Sequence, residues 1–295
     1  MRYKIDVTGK WKLWFWLSLA LIIPGLISLL VQGLNWGIDF TGGMLLQLQF
    51  EDAVAVEEVR DVLVQFDLEQ SPIQSSENNN IIIRTKVLAE EERQELLAAL
   101  ERELGSYEIM RIQNVGAIIS GELRSAAYLA LIIASILMIA YITIRFEFKF
   151  AVAAILPLLY NVLVVTGIFS LFQIEVDNTF VAALLTIVGY AVNNTIVFFD
   201  RIRENLKGHR KGFVASLVNE SVNQVLGRAI NTTLTTLFGI VALLFFGGET
   251  TKVFALALFL GVLVGTYSSI FIANNIWARW RDHAEEKRLA AYGQK

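Results

Sequence analysis

Long apolar runs divided by short polar connections dominate the hydropathy pattern, and six of them occur along the chain. Each is about as long as a helix must be to cross a bilayer whose apolar core is roughly 30 Å thick. The N-terminal run follows several basic residues, as a signal sequence does, but no small-residue cleavage site closes it, so this helix is predicted to be retained. The predicted membrane helices span residues 13–36, 125–144, 150–174, 178–199, 225–248 and 253–278.

Residues 37–124, between the first and second runs, are charged and amphipathic instead. Apolar and polar residues alternate over 44–50, which predicts a strand, and apolar residues recur at helical spacing over 56–66. The same two patterns return further along, and the whole segment has the order βαββαβ. That order is typical of a ferredoxin-like split fold, so the segment is predicted to be a small α+β domain.

Basic residues are segregated along the chain and orient the helices, because cytoplasmic loops carry an excess of Lys and Arg. The connections at 173–177 and 247–252 hold one cation between them, which places them and residues 37–124 outside. Residues 200–224 are predicted as a cytoplasmic loop with an amphipathic helix along the membrane surface. The basic segments are the cytoplasmic N-terminus 1–12, the cytoplasmic tail 279–295 and the connections at 145–149 and 201–211.

The predicted fold class follows from these patterns together. The chain is predicted to be an α-helical polytopic membrane protein with six transmembrane helices and one extracytoplasmic α+β ferredoxin-like domain. Both of its termini are expected to be cytoplasmic.

Three glycines directly follow the first membrane helix, in the heptad Gly-Ile-Asp-Phe-Thr-Gly-Gly that begins at Gly37. Because Gly37, Gly42 and Gly43 allow backbone conformations that other residues avoid, the heptad predicts a tight, structured exit from the membrane. Within it, Asp39 is more typical of a turn or capping residue than of a catalyst.

The fourth membrane helix carries two adjacent amides, Asn193 and Asn194, near its middle. A polar pair in a bilayer costs free energy unless other helices satisfy it, so it either joins helices or forms a transport site. On a helix, small and polar residues share one face, and three further residues border it. The face consists of Ala182, Thr186, Gly189 and Asn193, and its border of Tyr190, Ala191 and Asn194.

Polar and small residues also line up on the fifth and sixth helices. In the sixth helix, Gly261 and Gly265 form a small-xxx-small pair, for which close helix packing is the favoured interpretation. The arginine that begins the polar face of the fifth helix either extends to the interface or takes part in function. That face consists of Arg228, Asn231, Thr232, Thr235 and Gly239.

Three segments resemble the SecF family of the bacterial SecD–SecF complex. Gly189 begins the string Gly-Tyr-x-x-Asn-x-Thr-Ile-Val-x-x-Asp-Arg-Ile-Arg-Glu-Asn, which resembles that family's fourth membrane helix. Arg228 begins Arg-x-x-Asn-Thr-x-Leu-Thr-Thr, which is similar to the fifth-helix motif, and the heptad at Gly37 is similar to the signature after the first helix. The chain departs from the family at one position, since Asn194 stands where the family usually has Asp.

The resemblance implies a function as well as a fold. It implies a subunit of the bacterial cytoplasmic (inner) membrane that pairs with SecD, associates with the SecYEG channel and uses the proton gradient to help unfolded preproteins emerge outside. In that family the arginine and a following threonine line the proton route beside the aspartate. The implied proton-relay candidates are therefore Asn194, Asn193, Arg228 and Thr232.

Two other functions remain open at this point. Since an amide cannot titrate, the chain could be a structural subunit that holds SecD, the channel and the external domain together without moving ions. A small-molecule or lipid exporter of the same resistance–nodulation–division superfamily is a weaker alternative, because the quoted motifs are specific.

Composition supports the membrane interpretation and excludes several classes of protein. With 55% hydrophobic and 18% charged residues, the chain is too apolar for an ordinary soluble globule. The absence of cysteine excludes disulfides, thiol catalysis and Cys-ligated zinc, and the only histidines are His209 and His283, both in charged surroundings. No phosphate-binding loop or nucleophile–histidine set occurs, so no enzyme activity, cofactor, metal or nucleic-acid partner is expected.

Overall fold

The computed structural model describes residues 5–76, 79–145, 148–207 and 214–292. The chain divides into two compact units. The membrane unit comprises Met1–Asn35 with Leu129–Lys295, and the insert comprises Trp36–Tyr128. His209 and Phe213 lie outside the described residues.

The described part of the chain contains ten helices and four strands, and a π-helical turn at Ser269–Ala273 joins the last two helices. The helices are α1 (Trp11–Val31), α2 (Ile38–Thr41), α3 (Val56–Val64), α4 (Glu90–Leu104), α5 (Ala117–Arg145), α6 (Phe148–Leu171), α7 (Asn178–Leu206), α8 (Val214–Phe246), α9 (Glu249–Ser268) and α10 (Asn274–Tyr292). The strands are β1 (Gly43–Phe50), β2 (Ile73–Ser76), β3 (Asn80–Thr85) and β4 (Tyr107–Val115).

Six helical stretches among the described residues are long and apolar enough to cross a membrane. They are α1, α5, α6, α7, α8 and the continuous stretch from α9 into α10, with mean hydropathy between 1.8 and 2.4. The predicted class of a six-helix polytopic protein is therefore confirmed.

Several helices extend beyond the predicted apolar runs. α7 continues to Leu206, and α5 already begins at Ala117. The predicted surface helix at 213–224 corresponds instead to the first turns of the 33-residue helix α8, from Val214 onward. Its apolar face, including Leu217 and Val222, is buried in the core of the membrane unit. Amphipathic periodicity shows that one face is apolar but not whether lipid or protein covers that face.

The insert has the predicted ferredoxin-like fold. Its sheet has the order β2-β3-β1-β4, and all neighbouring strands are antiparallel. The central strand β1 is buried on one face against α3 and α4, through residues such as Leu46, Leu48, Val59 and Leu100. On its other face Leu45 packs with Ile38 and Val115.

Helix α1 lies directly against α6 in the membrane unit. A Cβ on Gly25 would lie 2.8 Å from the Cα of Gly167, so side chains are excluded at this crossing. One turn further along α1, Ser28 Oγ lies 2.7 Å from Ser170 Oγ. Small residues thus let the two backbones approach closely, as is common between membrane helices.

The first described residues are tied to the far end of the chain. The backbone N–H groups of Ile5 and Val7 donate to Asn223 and Asn219 of α8, at 2.9 and 2.8 Å. The carbonyl of Val7 accepts from Asn275 Nδ2 of α10, at 3.1 Å. Side-chain amides therefore satisfy backbone groups that no regular element would satisfy here.

Candidate functional site

The two amides of α7 have opposite surroundings. Asn194 is 5% exposed, while Asn193 lies on the exposed side of the helix. Adjacent residues project about 100° apart on a helix, so only one of the pair can face the helices packed against α7. All of Ala182, Thr186, Gly189 and Asn193 are exposed in this chain, and these four residues are termed the α7 polar face.

Next to Asn194, a hydroxyl pair joins α7 to the π-helical turn. Thr195 Oγ1 lies 2.9 Å from Ser269 Oγ, which in turn donates to the carbonyl of Ala191 at 3.3 Å. Both hydroxyl-bearing residues are buried. Because no water is available in an apolar membrane interior, these bonds satisfy hydroxyl groups that would otherwise have no partner.

The π-helical turn has its own polar support. Asn274 Nδ2 donates to the carbonyls of Ser269 and Ile270, both at 3.0 Å. A π-helical turn shifts the backbone hydrogen-bond register by one residue, and such turns are frequent at functional sites. Asn274 therefore stabilises the irregular backbone opposite Asn194.

Several buried amide atoms around this region have no hydrogen-bond partner among the described residues. They include Asn194 Nδ2, Asn274 Oδ1 and both polar atoms of Asn161, which is 0% exposed on α6. Asn161 Nδ2 lies 3.6 Å from where a Cβ on Gly265 would sit. Unpaired buried amides are costly, and in a membrane interior polar residues mark paths for ions or water. We term Asn161, Asn194, Thr195, Ser269 and Asn274 the inner polar cluster.

The polar face predicted on the fifth helix lies outside this cluster. Arg228, Asn231, Thr232, Thr235 and Gly239 are all exposed, and together they are termed the α8 polar face. Among the described residues no hydrogen bond or ion pair of Arg228 is recorded, and the Thr235 hydroxyl bonds only to carbonyls of its own helix. Within this single chain, Arg228 and Thr232 are thus not brought into contact with Asn194.

A neighbouring threonine, which the sequence pattern did not single out, joins the helices instead. Thr233 is buried and lies 2.9 Å, oxygen to oxygen, from Thr266 of α9. The hydroxyl of Tyr190 on α7 also donates to Thr233, at 3.5 Å. Thr233 could have been identified from the sequence only if the buried side of α8 had been known.

The predicted helix-packing glycines divide into two groups. A Cβ on Gly261 would lie 2.2 Å from Ile187 Cγ1, and one on Gly265 would lie 3.4 Å from Ala191 Cβ. At Gly189 and Gly239 an added Cβ would meet nothing within 4 Å. Close packing of α9 on α7 therefore depends on the first pair, while the second pair lies on the two exposed polar faces.

The glycine heptad forms a short helix followed by a tight turn that glycine adopts readily. Gly42 and Gly43 have φ of +73° and +121°, which favour glycine, and a Cβ on Gly43 would lie 2.4 Å from the carbonyl oxygen of Thr85. Asp39, which follows the N-cap residue Gly37, accepts from Gln113 Nε2 at 2.9 Å. Asp39 thus links α2 to the edge strand β4.

The charged end of the α7 string joins α7 to α8. Arg201 contacts Gln224 and forms an ion pair with Glu204, and Asn205 donates to Ser221 and Gln224 at 2.8 and 2.9 Å. These contacts fix the helix ends around the connection between α7 and α8.

The chain matches two family profiles. Residues 95–283 match the family described as "Protein export membrane protein SecD/SecF, C-terminal", and residues 27–54 match "SecD/SecF GG Motif". The second match includes the whole glycine heptad.

Curated relatives are similar over most of their length. Protein translocase subunit SecF of Sebaldella termitidis is 44% identical over 268 residues, which cover 88% of this chain and 87% of that protein. The subunit of the same name from Acidaminococcus fermentans is 42% identical over 286 residues, covering 94% and 98%. That of Vibrio alginolyticus is 39% identical over 272 residues, covering 90% and 86%.

Two solved structures share the fold. The crystal structure of SecDF, a translocon-associated membrane protein from Thermus thermophilus, matches with a TM-score of 0.87 at 36% identity, over 95% of this chain and 39% of that chain. SecDF in its super-membrane-facing form matches with a TM-score of 0.73 at 35% identity, over 99% of this chain and 40% of that one. This chain therefore spans about two fifths of the SecDF chains.

These similarities extend through both the insert and the membrane unit. The profile matches include the heptad, and the relatives cover nearly the whole chain. With six long apolar helices among its described residues, the chain is a multi-pass inner-membrane protein. It belongs to the SecF family of protein translocase subunits.

Proposed function

We propose that this chain assists preprotein export as one half of a SecD–SecF unit on the SecYEG channel, with ion coupling centred on position 194. The role involves binding and movement and requires no covalent chemistry or cofactor. The observation that carries the proposal is the position of Asn194 within the inner polar cluster, beside two exposed polar faces. A buried polar cluster beside exposed polar helix faces is typical of a transport pathway of which this chain forms one half and a partner subunit the other.

The exposed polar faces support a partner. The α7 polar face includes Thr186 and Asn193, and the α8 polar face includes Arg228 and Asn231, all exposed on helices apolar enough to span a membrane. Lipid tails offer no hydrogen bonds to amides or a guanidinium, whereas a second helical subunit can supply them. The solved SecDF chains, which are about two and a half times as long as this chain, support a SecD-like subunit in that place.

Position 194 determines how ions would couple. Membrane carboxylates relay protons because they can change charge, and an amide holds one charge state. Asn194 keeps the shape and the hydrogen-bonding capacity of the site without titrating. We therefore expect weak proton-dependent stimulation from this chain, with any residual coupling supplied by a partner's carboxylate.

The test is Asn194→Asp in the assembled complex. Preprotein export is measured with the proton gradient present and after it is collapsed by an ionophore. A carboxylate in these desolvated surroundings responds to the packing of neighbouring helices, so Asn194→Asp is expected to increase gradient-dependent export. Adding Arg228→Ala is expected to remove that gain, because helix movements that bring the exposed Arg228 guanidinium towards position 194 would favour the charged form of the carboxylate.

Asn193→Asp is the matched control, since it makes the same chemical change one residue away on the exposed side of α7. Equal gradient-dependent export by the unmodified chain and by Asn194→Asp would contradict coupling at 194. An equal gain from Asn193→Asp would contradict the importance of the inner polar cluster.

The structural-subunit alternative is favoured by one observation, the non-titrating side chain of Asn194 itself. In that case the complex assembles and supports export equally well with or without the gradient. Both Asn194→Asp and Arg228→Ala would then leave export unchanged.

A further inference from the structure

A cavity of about 350 Å³ lies in the membrane unit between α1, α6 and the stretch from the π-helical turn into α10. Its wall is mostly apolar and aromatic, and two of its residues, Tyr160 and Asn275, are sequence neighbours of Asn161 and Asn274 in the inner polar cluster. The residues that give it chemical character are Trp11, Trp14, Ser18, Tyr160, Phe271 and Arg279.

Arg279 is the one charged residue among those that line the cavity. Its guanidinium carbon lies 3.3 Å from the centre of the Trp11 ring, and the side chain is exposed. Stacking uses the face of the guanidinium and leaves its in-plane N–H groups free to bind an anion. The mouth of the cavity is therefore suited to a negatively charged group.

One turn deeper, the cavity holds a buried donor without an acceptor. Trp14 stacks on Phe271 at 3.8 Å between ring centres, and its Nε1 has no hydrogen-bond partner among the described residues. A buried donor left unsatisfied is costly, so an acceptor at this depth would be stabilising.

The spacing of these groups matches a phospholipid. Trp14 lies three residues after Trp11, or about 4.5 Å further along the helix axis, so an anion at Arg279 and an acceptor at Trp14 are close together. A phospholipid presents a phosphate and then ester carbonyls in this order, followed by acyl chains. A transmembrane helix of another subunit offers few free acceptors, because its carbonyls are bonded internally.

We propose that this cavity binds an anionic diacyl phospholipid. Its phosphate contacts Arg279, an ester carbonyl accepts from Trp14 Nε1, and an acyl chain occupies the apolar space between α1 and α6. Lipid binding at this site requires no ion coupling at position 194.

The test is lipid retention by the full chain, purified in mild detergent with any subunit that accompanies it. Phosphatidylglycerol and phosphatidylcholine with identical acyl chains are added in equal amounts, and the bound lipids are counted by native mass spectrometry. The unmodified chain is expected to retain phosphatidylglycerol preferentially. Arg279→Gln is expected to lower that preference about fivefold, the effect of losing one cation at an anionic surface.

Two further variants keep the test decisive. Lys12→Gln removes an exposed cation next to Trp11 that does not line the cavity, and it is expected to leave the preference unchanged. Trp14→Phe keeps the ring but removes the donor, so it should reduce retention of both lipids to a similar extent. An equal loss of preference in Lys12→Gln and Arg279→Gln, or no preference in the unmodified chain, would overturn the proposal.

Discussion

The hydroxyl pair Thr195–Ser269 shows how single residues hold the inner polar cluster together. Both side chains are buried, and their oxygens lie 2.9 Å apart between α7 and the π-helical turn. Without this contact the Thr195 hydroxyl would be unsatisfied in an apolar region, whereas Ser269 would keep only its bond to the Ala191 carbonyl. The pair therefore stabilises the contact directly beside Asn194.

We expect Thr195→Val and Ser269→Ala each to lower the free energy of unfolding by about 1 kcal/mol, since each leaves one hydroxyl without its partner. The double variant should cost little more than either single variant, because both remove the same bond. Thermal unfolding in detergent measures these differences. Thr186→Val is the control, since its hydroxyl is exposed and bonds only within α7. Additive losses in the double variant would contradict the assigned bond.

At this scale the sequence predicted the amide pair but not which amide is buried. α7 is apolar on most of its circumference, so periodicity alone assigns no inner side. Asn193 belongs to the small and polar face, which is exposed, while Asn194 is buried within the membrane unit. Asn161 was not singled out, because a lone amide in an apolar run carries no spacing signal.

At the scale of elements, the contact between α7 and α9 depends on the absence of one side chain. Ile187 is fully buried, and its Cγ1, Cδ1 and Cγ2 atoms would all lie within 2.8 Å of a Cβ on Gly261. A β-branched residue has few alternative rotamers on a helix, so it cannot easily move aside.

Gly261→Ala is therefore expected to lower the free energy of unfolding by about 1–3 kcal/mol through overpacking. Adding Ile187→Ala should recover part of that loss by making space for the methyl group. The melting temperature in detergent is the measurement. Gly227→Ala in α8 is the matched control, since an added Cβ there meets nothing within 4 Å. It should be neutral or stabilising by up to about 1 kcal/mol, because alanine favours helix. An equal loss in both variants would contradict the packing assignment.

The existence of most elements followed from hydropathy, but their contacts did not. The apolar face of residues 213–224 was predicted to lie on the membrane surface, and in the structure Val214, Leu217 and Val218 pack inside the protein. The same pattern fits both environments. Only the neighbouring helices distinguish them, and a pattern along one segment contains no information on its neighbours.

At the scale of the whole molecule, the two units differ in composition: the sequence of the insert is suited to water and that of the membrane unit to a lipid bilayer. The insert has a small antiparallel sheet covered by two helices, and the membrane unit contains most of the long apolar helices. From the basic connections of the membrane unit, the positive-inside rule predicts that the insert lies outside the cytoplasm.

Single cysteines test this orientation, because the chain contains no cysteine. Ser75 is exposed in β2 of the insert, and Ser216 is exposed near the start of α8. In intact cells, an impermeant thiol reagent is expected to label Ser75→Cys and not Ser216→Cys. Permeabilised cells should label both variants, which controls for accessibility. Labelling of Ser216→Cys alone in intact cells would show the opposite orientation.

The family and the six-helix plan could be predicted from the sequence, because long apolar runs and specific motifs are local properties. The outward position of the α7 and α8 polar faces could not. Arg228 and Asn193 are exposed in this chain, and a pattern along one sequence does not show whether such residues face lipid or another protein.

The hydrogen bonds of residues 5–8 also constrain the order in which the molecule can be completed. Ile5 and Val7 are synthesised well before their partners Asn219, Asn223 and Asn275. The separation of 268 residues between Val7 and Asn275 corresponds to tens of seconds of translation at about 5–20 residues per second. During that interval the backbone groups of residues 5–8 lack the side-chain amides that satisfy them in the folded chain. Residues 5–8 can therefore reach their final position only after α8 and α10 have been made.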